Sequence, residues 1–153
     1  MPVPVLDTPV SRCRFYRSVC DLPAVVRPET DRITVRAGHI GAVTMPAVLG
    51  GQVRLHLRRH NLGGPIISHP RSKRWTYLVQ PDFPQDVPTF SEMFRLNVTI
   101  TSPGADIALP TPSATGVAFR LWVDQPTNPF RPSGSAVIES IRACLASGSA
   151  GSE

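Results

Sequence analysis

The sequence predicts an α+β domain, with a mixed or antiparallel sheet and helices packed mainly on one face of it. Three observations lead to this prediction. Runs of alternating or β-branched apolar residues recur about seven times along the chain, and three or four helical patterns lie among them. Some predicted strands follow each other directly, as in hairpins, whereas others alternate with helices. The 17 prolines lie mainly at segment boundaries, so they separate short elements and do not indicate disorder.

One domain is expected. A chain of 153 residues can bury a single hydrophobic core, and no internal linker is long enough to divide it. Residues 1–10 contain three prolines and are expected to be loosely ordered, whereas the serine- and glycine-rich residues 147–153 are expected to form a flexible tail. The domain is therefore predicted to span residues 11–146.

The first half of the chain alternates between helix-like and strand-like patterns. Ser11 is a suitable N-cap for a short helix that ends before Leu22-Pro23. An alternating stretch and an apolar run before Pro46 predict two strands, with the Gly38-His39 turn between them. Apolar residues then recur at helical spacing between arginines and histidines, until a pair of glycines ends the pattern. The predicted elements are a helix at 12–19, strands at 32–35 and 40–45, and a basic amphipathic helix at 47–60.

The second half begins with a hairpin pattern, in which an apolar run enters a basic turn and an alternating run leaves it. Pro88 is tolerated in the first turn of the next helix, because the donor that proline lacks would be unpaired there. Pro103-Gly104 predicts a turn between two short strands, and Ser133 or Ser135 is placed to cap the last helix. The predicted elements are strands at 65–68 and 74–79, a helix from residue 87, strands at 97–100, 106–109 and 119–123, and a final helix.

Arginine supplies nearly all the positive charge. Only Lys73 is a lysine among the 16 basic residues, and the formal net charge is +5. Such a surface suits an anionic partner, although an arginine-rich composition alone gives the same net charge. No apolar run approaches the roughly 18 residues of a membrane span, and the N-terminus lacks the basic and apolar regions of a signal peptide. The protein is therefore expected in the cytoplasm, without a membrane partner.

The predicted hairpin concentrates cations beside two aromatic rings, as a loop that binds phosphates or bases does. The helix before it carries further cations and leads directly into it, so the two sets are expected to converge on a nucleic acid or a nucleotide. Two other interpretations stay open: the charges only solvate a face, and the rings belong to the core. The candidate binding residues are Arg54, Arg58, Arg59, Arg71, Lys73, Arg74, Trp75 and Tyr77.

Patterns for other chemistry are weaker. Ser68 and His69 are adjacent on a predicted strand and would point to opposite faces, so they do not form a catalytic pair by themselves. His56 and His60 have a spacing that can bind zinc, but no acidic residue accompanies them at the spacing of a metalloprotease motif. The three cysteines have no C-x-x-C spacing and are expected to be free thiols. No catalytic residue, metal or cofactor is predicted.

Several segments together resemble the bifunctional DNA primase/polymerase (prim-pol) domain, which has an RRM-like fold. The order of elements over residues 32–123 is similar, and the closer resemblance is to short actinobacterial proteins with a proline-flanked basic turn and a Leu-Pro-x-Pro loop. A weaker resemblance, of Phe15-Tyr16-Arg17 and Leu22-Pro23 to the first helix of glyoxalase-type βαβββ modules, is a fold alternative. The segments that carry the prim-pol resemblance are 41–46, 68–77, 106–113, Gly116 and 120–122.

The departures from the prim-pol pattern bear on activity. The family holds two divalent cations with paired carboxylates for nucleotidyl transfer, and the matching positions here are Ala42 and Thr44. A phosphate-binding histidine of the family is replaced by Trp75, and a third acidic position falls near Val98-Thr99. The resemblance therefore implies a non-catalytic protein that binds DNA, RNA or a nucleotide. The alternative is a protein-interaction module whose basic face meets an acidic partner in the replication or transcription machinery.

Overall fold

A computed structural model describes residues 8–84, 86–112 and 119–151, with only the backbone for 147–151. Across these residues it has four helices and two antiparallel sheets, which confirms the α+β prediction. Most of the N-terminal segment that was expected to be loosely ordered lies outside the described residues. The elements are α1 (Pro9–Ser18), β1 (Ala24–Val26), β2 (Ile33–Arg36), β3 (Gly41–Pro46), α2 (Ala47–Arg59), β4 (Ile66–His69), β5 (Arg74–Val79), α3 (Val87–Arg95), β6 (Thr99–Ile100), β7 (Asp106–Ala108), β8 (Leu121–Asp124) and α4 (Gly134–Gly151).

The larger sheet has the strand order β6-β3-β5-β4-β8. Along the chain, β3, α2, β4, β5, α3 and β6 follow each other as β-α-β-β-α-β, and β5 lies between β3 and β4 in the sheet. This is the split βαβ, or ferredoxin-like, arrangement. It is the strand order that an RRM-like topology requires.

Strand alternation gives this sheet two different faces. Val43 and Met45 pack with residues of α2 and α4 in one hydrophobic cluster, which also contains Tyr77 and Val79 of β5. The residues between them, such as Thr44, point to the opposite face. Helices α2 and α4 also pack on each other. Helices α2 and α4 therefore lie on the same face of this sheet.

The smaller sheet, in the order β1-β2-β7, covers part of the opposite face together with α1. Tyr16 anchors this second cluster: it is fully buried, its hydroxyl donates to the Pro110 carbonyl at 2.7 Å, and it accepts from the Trp122 indole at 3.0 Å. The two rings meet edge to face at 5.7 Å. The cover does not extend to the end of the sheet near Thr44, where a cleft remains.

The structure differs from the prediction at both ends of the chain. Helix α1 begins earlier than predicted because Thr8, and not Ser11, is its N-cap, and the two side chains form a reciprocal capping box. Helix α4 continues to Gly151, within the segment that was expected to be a flexible tail. Strand β1 had no clear pattern, since it has only three residues. No helix in the described part of the chain is long and apolar enough to cross a bilayer.

Candidate nucleic-acid interface

A cleft of about 330 Å³ lies between the two sheets. Its floor is the face of the larger sheet that turns away from α2 and α4, and β7 of the smaller sheet forms one wall. Its lining is hydroxyl-rich and basic. It includes Thr44, His69, Arg74, Thr76, Asp106 and Arg120.

Strand register brings the floor residues together. Thr44 on β3 pairs with Thr76 on β5, and His69 at the end of β4 pairs with Arg74 at the start of β5. Because paired residues in an antiparallel sheet point to the same face, these four side chains share the face that lines the cleft. Arg120, the residue just before β8, also lines the cleft.

A chain of hydrogen bonds crosses the floor. The Thr44 and Thr76 hydroxyls lie 2.8 Å apart, and the His69 Nε2 lies 2.7 Å from the Thr76 hydroxyl. Thr76 is the centre of this chain and is only 4% exposed. Burial, together with the nearby charges of Arg120 and Arg74, lowers the pKa of His69 to about 4. The imidazole is therefore neutral at pH 7.

Arginines provide the positive charge of the cleft. Arg74 is half-buried, and its Nη2 donates to the Thr44 carbonyl at 3.1 Å. Burial lowers the pKa of Arg120, and the like charge of Arg32 lowers it further. The carboxylate in the lining, Asp106, is held by an ion pair with Arg27 outside the floor. The cleft is therefore a basic environment in which an anion would be favoured.

Two exposed cations extend this surface at the β4–β5 turn. Arg71 and Lys73 are both exposed, and Ser72 between them lines the cleft. Lys73 has a positive φ of 56°, and its carbonyl accepts the first backbone N–H of α2, from Ala47, at 3.0 Å. This bond fixes the turn to the start of α2. The turn cations therefore stand at the rim of the cleft.

The helix cations do not join them, although the sequence suggested that they would. Helix α2 begins at the turn and runs away from it, so Arg58 and Arg59 lie about 16–18 Å along its axis from its first residue. Arg54 is already engaged: its Nε and Nη2 donate to both carboxylate oxygens of Asp124, at 2.7 and 2.8 Å. A single face formed by residues 54–60 and 71–77 is therefore not present.

The aromatic pair lies on the helix side of the sheet. Tyr77 is 1% exposed, and its hydroxyl donates to the Gly50 carbonyl at 2.6 Å. Trp75 is half-buried and packs so closely on Gly50 that a Cβ there would stand 2.8 Å from its ring. Neither ring lines the cleft, and Tyr77 is too buried to stack on a base. These positions agree with the other interpretation of the two rings, in which they belong to the core.

Histidines 56 and 60 are bound within the protein. His56 Nδ1 lies 2.7 Å from the Ser140 hydroxyl, and His60 Nδ1 lies 2.8 Å from the His56 carbonyl oxygen. Within the described ranges there is no group of three or more His, Cys, Asp or Glu residues that could hold a metal ion. The cysteines are free thiols, with Cys13 and Cys20 buried.

The cleft coincides with the positions that carry the prim-pol resemblance. Ala42 and Thr44 alternate with the helix-facing residues of β3, and Thr99 of β6 pairs with Thr44. At these positions the resemblance expects metal-binding carboxylates. Thr44 instead presents a hydroxyl to the cleft, and Ala42 is fully buried in the cluster that contains Tyr16. Ser113 and Gly116, two other residues in that comparison, lie outside the described residues.

The sequence did not single out His69 or Arg120 as binding residues. His69 follows Ile67 at a spacing of two on β4, and Ile67 pairs with Thr76. That spacing places His69 on the face of Thr76 once the sheet order is known. The wall formed by β7 comes from a distant part of the chain, so no local sequence pattern could predict a cleft there.

Comparison with known proteins adds no assignment. No family model matches the chain, and no curated protein or solved structure is significantly similar to it.

Proposed function

We propose that this protein binds the phosphate backbone of a nucleic acid, or the phosphates of a nucleotide, in the cleft between its sheets. The observation that carries the proposal is the juxtaposition of Arg74 and Arg120 over a floor of hydroxyls. A guanidinium donates two parallel hydrogen bonds to phosphate oxygens. One hydroxyl of the Thr44–Thr76 pair can donate a further bond, because the proton of the other is used within the pair. Since His69 is neutral at pH 7, the arginines supply the charge.

The β4–β5 turn extends the positively charged surface beyond the cleft. Arg71 and Lys73 are exposed at the rim, where they can contact phosphates that follow the one in the cleft. A ligand with several phosphates in a row would therefore use both sets of cations. The face lacks an exposed aromatic partner from Trp75 or Tyr77, so we expect backbone contacts to dominate and sequence preference to be low.

The test is fluorescence anisotropy of labelled single-stranded DNA, duplex DNA and RNA across a salt series. Two double variants have the same change in charge: Arg71→Glu/Lys73→Glu at the rim, and Arg58→Glu/Arg59→Glu at the far end of α2. All four residues are exposed, so both variants are expected to fold. The slope of log K against log salt should fall by about 2 in the rim variant alone, since each lost phosphate contact removes about one counterion.

Three outcomes decide the proposal. Binding that weakens with salt, and that only the rim variant reduces, supports it. Equal losses in both double variants would mean that net charge alone attracts the ligand, and the cleft would lose its role. Absence of binding at low salt would overturn the proposal, because a chain of net charge +5 with a phosphate-contacting face must show at least non-specific affinity there.

One observation favours a second candidate, a protein-interaction module that differs from the predicted one because it uses an apolar stripe and not the basic face. Val87, Phe90 and Phe94 form an apolar stripe on the outer face of α3, with Phe94 83% exposed. One turn before Phe94, Phe90 lines an apolar cavity of about 210 Å³. A protruding ring beside a cavity that suits such a ring is self-complementary, so the partner we assign to this stripe is a second copy of the chain.

A further inference from the structure

A second cavity, of about 480 Å³, lies away from the cleft. It is bounded by the end of α1 and the segment after it, by the turn that enters β3, and by the loop before α4. Its lining has an apolar part and a charged part. The apolar part is Leu22, Pro23 and Ile40, and the charged part is Arg17, Asp21, His39 and Arg131.

Arg131 is held in place from several sides. Its Nη1 donates to the Cys20 carbonyl at 3.2 Å, and its own carbonyl accepts from the Gln80 side chain at 3.1 Å. Its Nε is enclosed and has no acceptor among the described residues. Burial lowers the pKa of Arg131, and Asp21 offsets this only in part. A fixed guanidinium with incomplete acceptors favours a further anion.

Arg17 reaches the same cavity from α1. It is exposed, whereas Arg131 is half-buried, so the two guanidinium groups line one cavity at different depths. Asp21 is the acidic residue in the lining, and against two arginines it leaves the cavity with a net positive charge. Because Leu22 and Ile40 are almost fully buried beneath it, the floor is rigid and apolar.

From this geometry we infer a binding site for a small oxyanion with an apolar body, whose anionic group Arg17 and Arg131 hold together while its body rests on Leu22, Pro23 and Ile40. The oxyanion is a carboxylate or a phosphate monoester, since a guanidinium fork matches both. The cavity volume lies within the range of small-molecule sites. This site and the proposed nucleic-acid cleft have no lining residue in common, so the two are independent.

The test is a titration of the full chain with benzoate and with phenyl phosphate, at constant ionic strength, followed by NMR of the His39 imidazole and the arginine Nε–H groups. Benzyl alcohol, which has a similar ring but no charge, is the control ligand. Arg17→Gln should weaken binding at least tenfold, because it removes one of the two guanidinium groups that hold the anion. Arg14→Gln removes the same charge from an exposed position on the same helix and should change nothing.

Arg131→Lys is the second variant, which keeps the charge but loses the fork, and it too should weaken binding if it folds. Whichever probe binds more tightly identifies the anionic group. Equal affinity in Arg17→Gln and Arg14→Gln would overturn the inference, as would binding of benzyl alcohol as tight as that of benzoate. Binding that is lost in Arg74→Gln and kept in Arg17→Gln would place the anion in the cleft and would also overturn it.

Discussion

His69 makes the stability of the fold depend on pH over a defined window. Burial lowers its pKa from 6.5 to about 4 in the folded protein. Between these two values the unfolded chain binds a proton that the folded protein does not, so acidification through the window favours unfolding. The contribution of His69 to stability is complete above the unfolded pKa and is lost as the pH falls from about 6.5 to about 4.

The size of the effect follows from the shift. Between pH 7 and pH 5, a full shift of this kind would lower the free energy of unfolding by about 1.8 kcal/mol. Since His69 is only half-buried, solvent screens part of it, and we expect about 1 kcal/mol. Urea unfolding of the wild type and of His69→Gln at both pH values measures it, because the common loss from carboxylates cancels in the difference.

Two results would refute this reasoning. One is an equal loss of stability in the wild type and His69→Gln between pH 7 and pH 5. The other is an NMR titration of the His69 ring with a midpoint near 6.5, the ordinary value. A neutral His69 also has a functional consequence: under the proposed function, protonation of this residue should not tighten phosphate binding between pH 8 and pH 5.5.

Two further predictions concern aromatic residues. Tyr77→Phe removes the buried hydrogen bond from the Tyr77 hydroxyl to the Gly50 carbonyl, so it should lower the free energy of unfolding by about 0.5–1.5 kcal/mol in urea, with nucleic-acid affinity unchanged; lower affinity at full stability would contradict its core role. Phe94→Ser should reduce self-association in sedimentation velocity, whereas Val48→Ser, which is 80% exposed on α2, should not. A wild-type chain that stays monomeric at high concentration would remove the second candidate function.

Local patterns were enough to predict the elements that frame the cleft. Strand β5 was predicted with its observed bounds, and α2 differs from the prediction by a single residue at its end. Both have strong periodicity and clear boundaries: the strand alternates, and the helix ends before Gly63 and Gly64. The bounds of β6 were less accurate, because only two of the four predicted residues pair with β3.

The composition of the site depended on non-local packing. Alternation shows that Trp75 and Tyr77 share a face of β5, but only the position of α2 decides that this face is the core. Gly50 explains the choice, since without a side chain it lets the Trp75 ring approach the helix closely. The same packing turns Arg74 and Thr76 toward the cleft. The cations and the rings that lie together in the sequence of this hairpin therefore end on opposite faces of the folded sheet.

The residues on the floor also bear on how a cleft in this position can bind anions. A carboxylate at Thr44 would repel a phosphate unless a divalent cation neutralised it. The Thr44 hydroxyl carries no charge, so it does not offset the positive charges of Arg74 and Arg120 in the cleft. Asp106 does not cancel them, because Arg27 is its partner. Introducing Thr44→Asp would put a negative charge beside the arginines, so the proposed function requires phosphate affinity to fall in that variant.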